Sequence, residues 1–121
     1  MGAMWTIEYT DEFEIWWESL TPGEQVALDA AVRILEELGP GLARPHVDTV
    51  NGSRHPNMKE LRAQCKGRPL RTLFAFDPRR CAILLTGGIK GGSKRFYENL
   101  IRTADRLYDR HLEELRTEGL L

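Results

Sequence analysis

The residues with the clearest chemical potential are cations set among aromatics: Arg54, His55, Lys59, Arg62, Arg71, Lys90, Lys94, Arg95 and Tyr97. Such a set can hold a phosphate backbone through charge-assisted hydrogen bonds, bidentate ones where arginine supplies them. It can also cut RNA without a metal. A 2′-hydroxyl attacks the adjacent phosphate, arginine and lysine stabilise the charge that gathers on the phosphorane, and a proton acceptor and donor flank it. Lysine, tyrosine or histidine takes a proton role only if shifted toward neutrality, and a dense cationic cluster lowers a lysine or tyrosine pKa in that direction. Other chemistries find no motif. There is no nucleophile elbow, no P-loop and no HExxH. His46, His55 and His111 have no metal-ligand spacing with carboxylates. Gly87-Gly88-Ile89-Lys90-Gly91-Gly92 lacks the Lys-Ser/Thr that completes a phosphate loop. No metal and no cofactor are expected.

These side chains need a scaffold, and the pattern of apolar residues supplies one. Trp5 to Tyr9 alternates apolar and polar, as a half-buried strand does. Thr10 or Asp11 can cap a helix to about Leu20, with Phe13, Trp16, Trp17 and Leu20 on one face. Thr21-Pro22-Gly23-Glu24 is a capping box with proline in the first turn. The helix it opens carries Val26, Ala30, Ala31, Ile34, Leu35 and Leu38 as a stripe and ends at Gly39-Pro40. The tight joint makes the two helices an antiparallel hairpin. Residues 40–57 form a long polar connection, with a short strand near Val47 to Val50. Loops this long are often functional.

Three strands follow. In Met58 to Cys65, Leu61, Ala63 and Cys65 face one way, and Glu60, Arg62 and Gln64 the other. Pro69 to Phe76 puts Leu70, Thr72, Phe74 and Phe76 on one face. Cys81 to Thr86 is nearly all apolar, which suits an interior strand. Gly87 to Ser93 reads as a basic, glycine-rich turn, and Lys94 to about Thr117 as a final helix with Tyr97, Leu100, Ile101, Ala104, Leu107, Tyr108, His111, Leu112 and Leu115 on its apolar stripe. Strands in a meander with helices before and after them make an α+β domain, a small antiparallel sheet packed on an N-terminal helical hairpin. Its other face is expected to stand open and to carry Arg62 and Arg71.

Size and composition agree with one domain. The chain has 121 residues, 41% of them hydrophobic and 29% charged. Met1 to Ala3 precede a second methionine and read as a remnant of cloning, leaving a domain over residues 4–121. No apolar run approaches the ~20 residues that span a bilayer, and no signal pattern opens the chain. A cytoplasmic protein with no membrane partner is expected, with Cys65 and Cys81 as reduced thiols. The formal charge of -1 conceals a segregation. Residues 1–43 hold nine acids against one base, residues 44–95 twelve bases against three acids, and residues 96–121 six acids against four bases. A block of +9 is the footprint of a surface that meets a polyanion.

On these residues the chain resembles the RelE/ParE superfamily of toxins from type II toxin-antitoxin modules, in its HigB-like, phage-derived branch. The matching pieces are Thr10 to Phe13, SRHPNMKELR at Ser53 to Arg62, RPLRTLFAFDPRR at Arg68 to Arg80, AILLTGGIKGG at Ala82 to Gly92 and the helix from Arg95 to Arg116. The resemblance implies a RelE-like fold, metal-independent cleavage of mRNA on the translating ribosome, and a neutralising antitoxin, often of helix-turn-helix type. It carries Arg62, Arg71, Lys90, Lys94 and Tyr97 over as site residues. Arg71 would clamp the phosphate and Arg62 would position RNA. Lys90 or Lys94 would supply charge or a proton, and Tyr97 would stack on a base or move a proton. Arg54, His55, Lys59 and Arg95 would add RNA contacts.

Plainer readings stand beside these. Arg71 could pair with Glu60 or Asp77, Lys90 could be solvated, Tyr97 could pack in the core, and His55 could be a surface residue. His111 reads as structural, and the three tryptophans as core or partner-surface residues. The resemblance also admits a ParE-type gyrase inhibitor, and the residues alone admit a protein-binding adaptor.

Overall fold

The computed structural model describes residues 4–91 and 93–121, so the reading of Met1 to Ala3 lies outside the described residues, as does Gly92. The elements run β1 (Ile7–Tyr9), α1 (Asp11–Ser19), α2 (Pro22–Leu38), a 3-10 turn (Gly39–Gly41), β2 (Val47–Thr49), β3 (Lys59–Cys65), β4 (Arg68–Phe76), β5 (Ala82–Ile89) and α3 (Lys94–Thr117). The helix starts follow from their caps. Thr10 accepts a hydrogen bond from the Phe13 N–H at 3.0 Å and donates to the Leu85 carbonyl at 2.6 Å, so one hydroxyl starts α1 and ties it to the sheet. Thr21 and Glu24 form the reciprocal capping box of α2, and Ser93 caps α3.

The five strands lie in the order β1-β5-β4-β3-β2. β2 to β5 form the expected antiparallel meander, and β1 adds itself parallel to β5, making the sheet mixed. Even-numbered β4 residues (Leu70, Phe74) join Phe13, Leu28, Leu35 and Leu84 in the core beneath the hairpin. Odd-numbered Leu73 and Ala75 join Ile83, Leu85, Ile101, Ala104, Leu107 and Tyr108 in a second core beneath α3.

That second core corrects the expectation of an open sheet face. α3 is apolar over five turns, and it covers β5 and β4 along most of their length. At one end of that face Arg62 and Arg71 stay partly exposed, while Glu60 and Gly88 are buried. Two further expectations shift. In α2 the buried apolar residues are Leu28, Ala31 and Leu35, while Val26, Ala30 and Leu38 are exposed. The short hairpin presents a narrow stripe to the sheet, so the outer apolar residues stay in water. β5 also runs on through Gly87-Gly88 to Ile89 instead of turning at Gly87. The missing side chains let Trp16 lie on Gly87 from one face and Phe96 on Gly88 from the other.

The turn from β4 to β5 is built on Asp77, whose side chain is fully buried. Its carboxylate accepts from the Arg79 N–H at 2.8 Å and the Cys81 N–H at 3.3 Å, and it pairs with Arg79 and His111, both at 2.8 Å. Burial opposes the charge, but Arg79, His111 and the two N–H groups outweigh it and hold the Asp77 pKa below its ordinary value. A lowered folded-state pKa means the stabilisation is present above the unfolded value of about 3.9 and lost as pH falls through the lower one. The urea midpoint of Asp77→Asn should therefore lie below that of the parent at neutral pH, with the gap closing below about pH 4. A gap independent of pH would contradict this reading of the turn.

Candidate active site

Strand register brings the predicted cations together. Arg62 on β3 lies directly opposite Arg71 on β4, and Arg71 lies opposite Gly88 on β5. Like charges in facing positions repel, so this pair needs a counter-charge. Glu60, two residues before Arg62 on the same strand face, provides it. Its carboxylate is 3% exposed and accepts from Arg62 Nε at 2.8 Å, with Arg71 Nε at 3.6 Å and Lys90 Nζ at 3.9 Å. The Tyr97 hydroxyl donates to Glu60 Oε1. Lys90 sits 4.6 Å above the Tyr97 ring, so the cation also uses the ring's negative face. Asp48 on β2 extends the network, accepting from Arg62 at 3.2 Å and pairing with Arg44 at 3.0 Å.

Arg71 holds the centre. Its side chain is 17% exposed, Nη1 donates to the Leu70 carbonyl at 3.0 Å, and Nε is buried without a hydrogen bond. A buried donor left unmade costs about 1–3 kcal/mol, which a closely placed anionic oxygen would recover. Lys90 stands at the rim, 46% exposed. Lys94 and Arg95 are exposed in the first turn of α3, where the positive end of the helix dipole adds to their charge. Phe96 beside them is an exposed aromatic lying on Gly88.

Three of the predicted residues stand elsewhere. Lys59 shares the hairpin face of β3 with Leu61, opposite to Arg62. Arg54 and His55 lie over the middle of α3. Arg54 pairs with Asp109 at 2.6 Å, and His55 Nε2 meets the same carboxylate at 2.7 Å. The Ser53 hydroxyl donates to Asp105 at 2.5 Å, so the loop before β3 is pinned to α3. Asp109 is twelve residues beyond Tyr97, roughly 18 Å along the helix. Arg54 and His55 thus fasten the loop before β3 to α3.

Tyr97 differs in electrostatics. Burial first, and then the hydrogen bond and charge of Glu60, push its phenol pKa well above the ordinary tyrosine value, outweighing Arg71 and Arg62. The expectation that cations would lower it fails because burial, and then the hydrogen-bonded Glu60 carboxylate, outweigh the guanidinium charges. Tyr97 is a neutral hydrogen-bond donor near pH 7, not a base. In a spectrophotometric titration Tyr97→Phe should remove a phenol that ionises above the ordinary value of about 10. Loss of a phenol titrating near neutrality would reverse this assignment.

The residue that sequence reasoning undervalued is Glu60, which it weighed only as a partner of Arg71. The strand alternation that put Glu60 and Arg62 on one face was the available signal. Arg44 had none, because its place depends on how β2 pairs. Among the described residues no three His, Cys, Asp or Glu side chains group to hold a metal ion. No helix among them is long and apolar enough to cross a membrane.

A mixed sheet covered by an N-terminal hairpin and a C-terminal helix is a fold that this chain shares with RelE toxins. The fold superposes on isolated Escherichia coli RelE with a TM-score of 0.57 over 81% of this chain and 97% of that one, at 12% identity. It also matches a chain of the intact E. coli RelBE toxin-antitoxin complex, with a TM-score of 0.56 at 10% identity over 73% and 99% of the two chains. Residues 15–109 match the family of phage-derived Gp49-like proteins (DUF891). Two candidate toxins of Mycobacterium tuberculosis are close in sequence. HigB3 is 48% identical over 78% of this chain and 82% of its own length, and HigB2 is 44% identical over 91% of this chain. The chain spans 55% of the length of HigB2. This chain belongs to the phage-derived Gp49-like family (DUF891) and is a relative of HigB3 and HigB2.

Proposed function

We propose that this protein is the toxin of a type II toxin-antitoxin pair and acts in the cytoplasm as a ribosome-dependent mRNA endonuclease. The observation that supports this most is the Arg62–Arg71–Lys90 cluster, with Lys90 at its exposed rim and one Arg71 donor buried without a hydrogen bond. A phosphate entering beside Arg71 competes with Glu60 for the guanidinium and for Lys90. The attacking 2′-oxygen bonds to phosphorus while the bond to the 5′-oxygen breaks, leaving a 2′,3′-cyclic phosphate and a 5′-hydroxyl. Arg71 and Lys90 stabilise the phosphorane charge. Glu60, relieved of those two cations, accepts the 2′-hydroxyl proton, and water supplies a proton to the departing 5′-oxygen. Tyr97, held neutral, donates a hydrogen bond and keeps Glu60 in place. Arg62, Lys94 and Arg95 hold flanking phosphates. The ribosome and mRNA are then the targets, and a cognate antitoxin the neutralising partner.

Inducible expression in a bacterial host with 5′-end mapping of transcripts tests this. Cuts within translated mRNAs, lost when translation is blocked beforehand, are the expected result. Growth arrest with intact transcripts and an SOS response would move the assignment to a gyrase inhibitor. No arrest would leave a protein-binding adaptor.

A further inference from the structure

Departure of the 5′-oxygen calls for a proton. Water is a weak acid at neutral pH, so it gives one up readily only where a group ionising nearer neutrality refills it. Arg62 and Arg71 stay protonated, and Tyr97 holds its proton against Glu60.

Strand register brings a histidine to the same face. The Arg62 N–H donates to the His46 carbonyl at 2.8 Å, which carries the pairing of β2 with β3 one residue beyond Val47. His46 therefore stands opposite Arg62, and Arg62 opposite Arg71, in one row across three strands. His46 lies two residues before Asp48, which accepts from Arg62 at 3.2 Å, so strand alternation turns both toward the cluster. Exposure rises along the row, from 17% at Arg71 to 31% at Arg62, and His46 is exposed. The row thus opens toward β2, while α3 packs on β4 and β5. The turn that carries His46 is closed. The His46 and Val47 N–H groups both donate to the Ala43 carbonyl, at 3.0 and 3.1 Å, and Arg44 pairs with Asp48 at 3.0 Å. The other two histidines are engaged, His55 with Asp109 and His111 with Asp77.

The spacing suits the reaction. Attacking and leaving oxygens lie in line across phosphorus, so the base and the proton source must stand on opposite sides of it. Glu60 and His46 are diagonal neighbours on paired strands, a separation of about 7–8 Å. A phosphate held by Arg71 and Arg62 fits between them, with a hydrogen bond of roughly 2.7 Å on each side.

We propose that His46 is the proton source for the departing 5′-oxygen, acting through the water between them. As the bond from phosphorus to the 5′-oxygen breaks, the water gives that oxygen a proton and takes one from the imidazolium N–H. The step ends with neutral His46, protonated Glu60 and the cyclic phosphate, and exchange with solvent restores both side chains. The inference rests on the nuclease reading and adds a residue to it.

The test is single-turnover cleavage of ribosome-bound mRNA that carries either the normal 5′-oxygen or a bridging 5′-sulfur at the mapped cut. A thiol ionises near pH 8.5, far below an alcohol, so the sulfur leaves as thiolate without a proton. His46→Ala should cut the oxygen substrate about 100-fold more slowly and the sulfur substrate at the parent rate. His46→Gln, which keeps a polar side chain that does not titrate, should behave in the same way. The position is exposed, so both variants should keep the parent's far-ultraviolet circular dichroism and its affinity for the ribosome complex. A folded variant that cuts the oxygen substrate at the parent rate, or that slows on both substrates alike, overturns the proposal. A parent that cuts neither substrate overturns the nuclease reading along with it.

Discussion

Arg71→Ala is expected to lower the mRNA cleavage rate about 100- to 1000-fold while leaving the protein folded, the loss typical of removing one preorganised group that stabilises developing charge. The stability side follows from the site's geometry. Arg71 gives Glu60 only a distant pairing at 3.6 Å, whereas Arg62 bonds the same carboxylate at 2.8 Å and Tyr97 also donates to it. Removing Arg71 also relieves its like-charged opposition to Arg62. The fold therefore keeps its anchor and the reaction loses its clamp. Arg71→Lys should recover only part of the rate, because an ammonium restores charge without the planar fork. Single-turnover cleavage alongside a thermal melt separates the two effects. A folded Arg71→Ala variant that cleaves at the parent rate would remove Arg71 from the mechanism.

Glu60→Ala is the converse case, in which the fold should suffer as much as the reaction. Four donors converge on this carboxylate, and two of them, Arg62 and Arg71, face each other across the strand pair. Deleting one partner of a buried ion cluster costs about 3–5 kcal/mol, since the charges left behind are unpaired. Arg62 keeps Asp48 at 3.2 Å, and Lys90 is nearly half exposed, so the lower end applies. A loss of about 3 kcal/mol corresponds to a fall of roughly 12 °C in Tm for a domain of this size. Glu60→Gln should cost less, because the amide oxygen still accepts from Arg62. If Glu60→Ala melts within a degree or two of the parent, the carboxylate is not the keystone described above.

Much of this architecture was legible in residue order. The capping box at Thr21, the alternation in β3 and β4, and the nine-residue stripe of α3 are local signals, and those elements formed where their signals lay. What was hidden depended on partners distant in sequence. Nothing local in Gly87-Gly88 tells a strand from a turn, since the deciding contacts come from Trp16 and Phe96. α3 was visibly amphipathic, but the face it covers is set by packing, and so the sheet seemed open. The same limit applied to the site. Arg62, Arg71, Lys90 and Tyr97 were found by residue type and did converge, while Arg54, His55 and Lys59 shared the type and went elsewhere. Charge alone could not tell cations gathered around Glu60 from those paired with Asp109. Strand register brings Arg62 and Arg71 together beside Glu60.

The most direct test of the nuclease assignment uses purified protein with 5′-labelled mRNA, either naked or bound in initiated ribosome complexes. The account predicts cutting only on the ribosome, products ending in a 2′,3′-cyclic phosphate, and a cleavage rate that collapses in Arg71→Ala. Intact mRNA on the ribosome, or equal cutting of the naked strand, would contradict it.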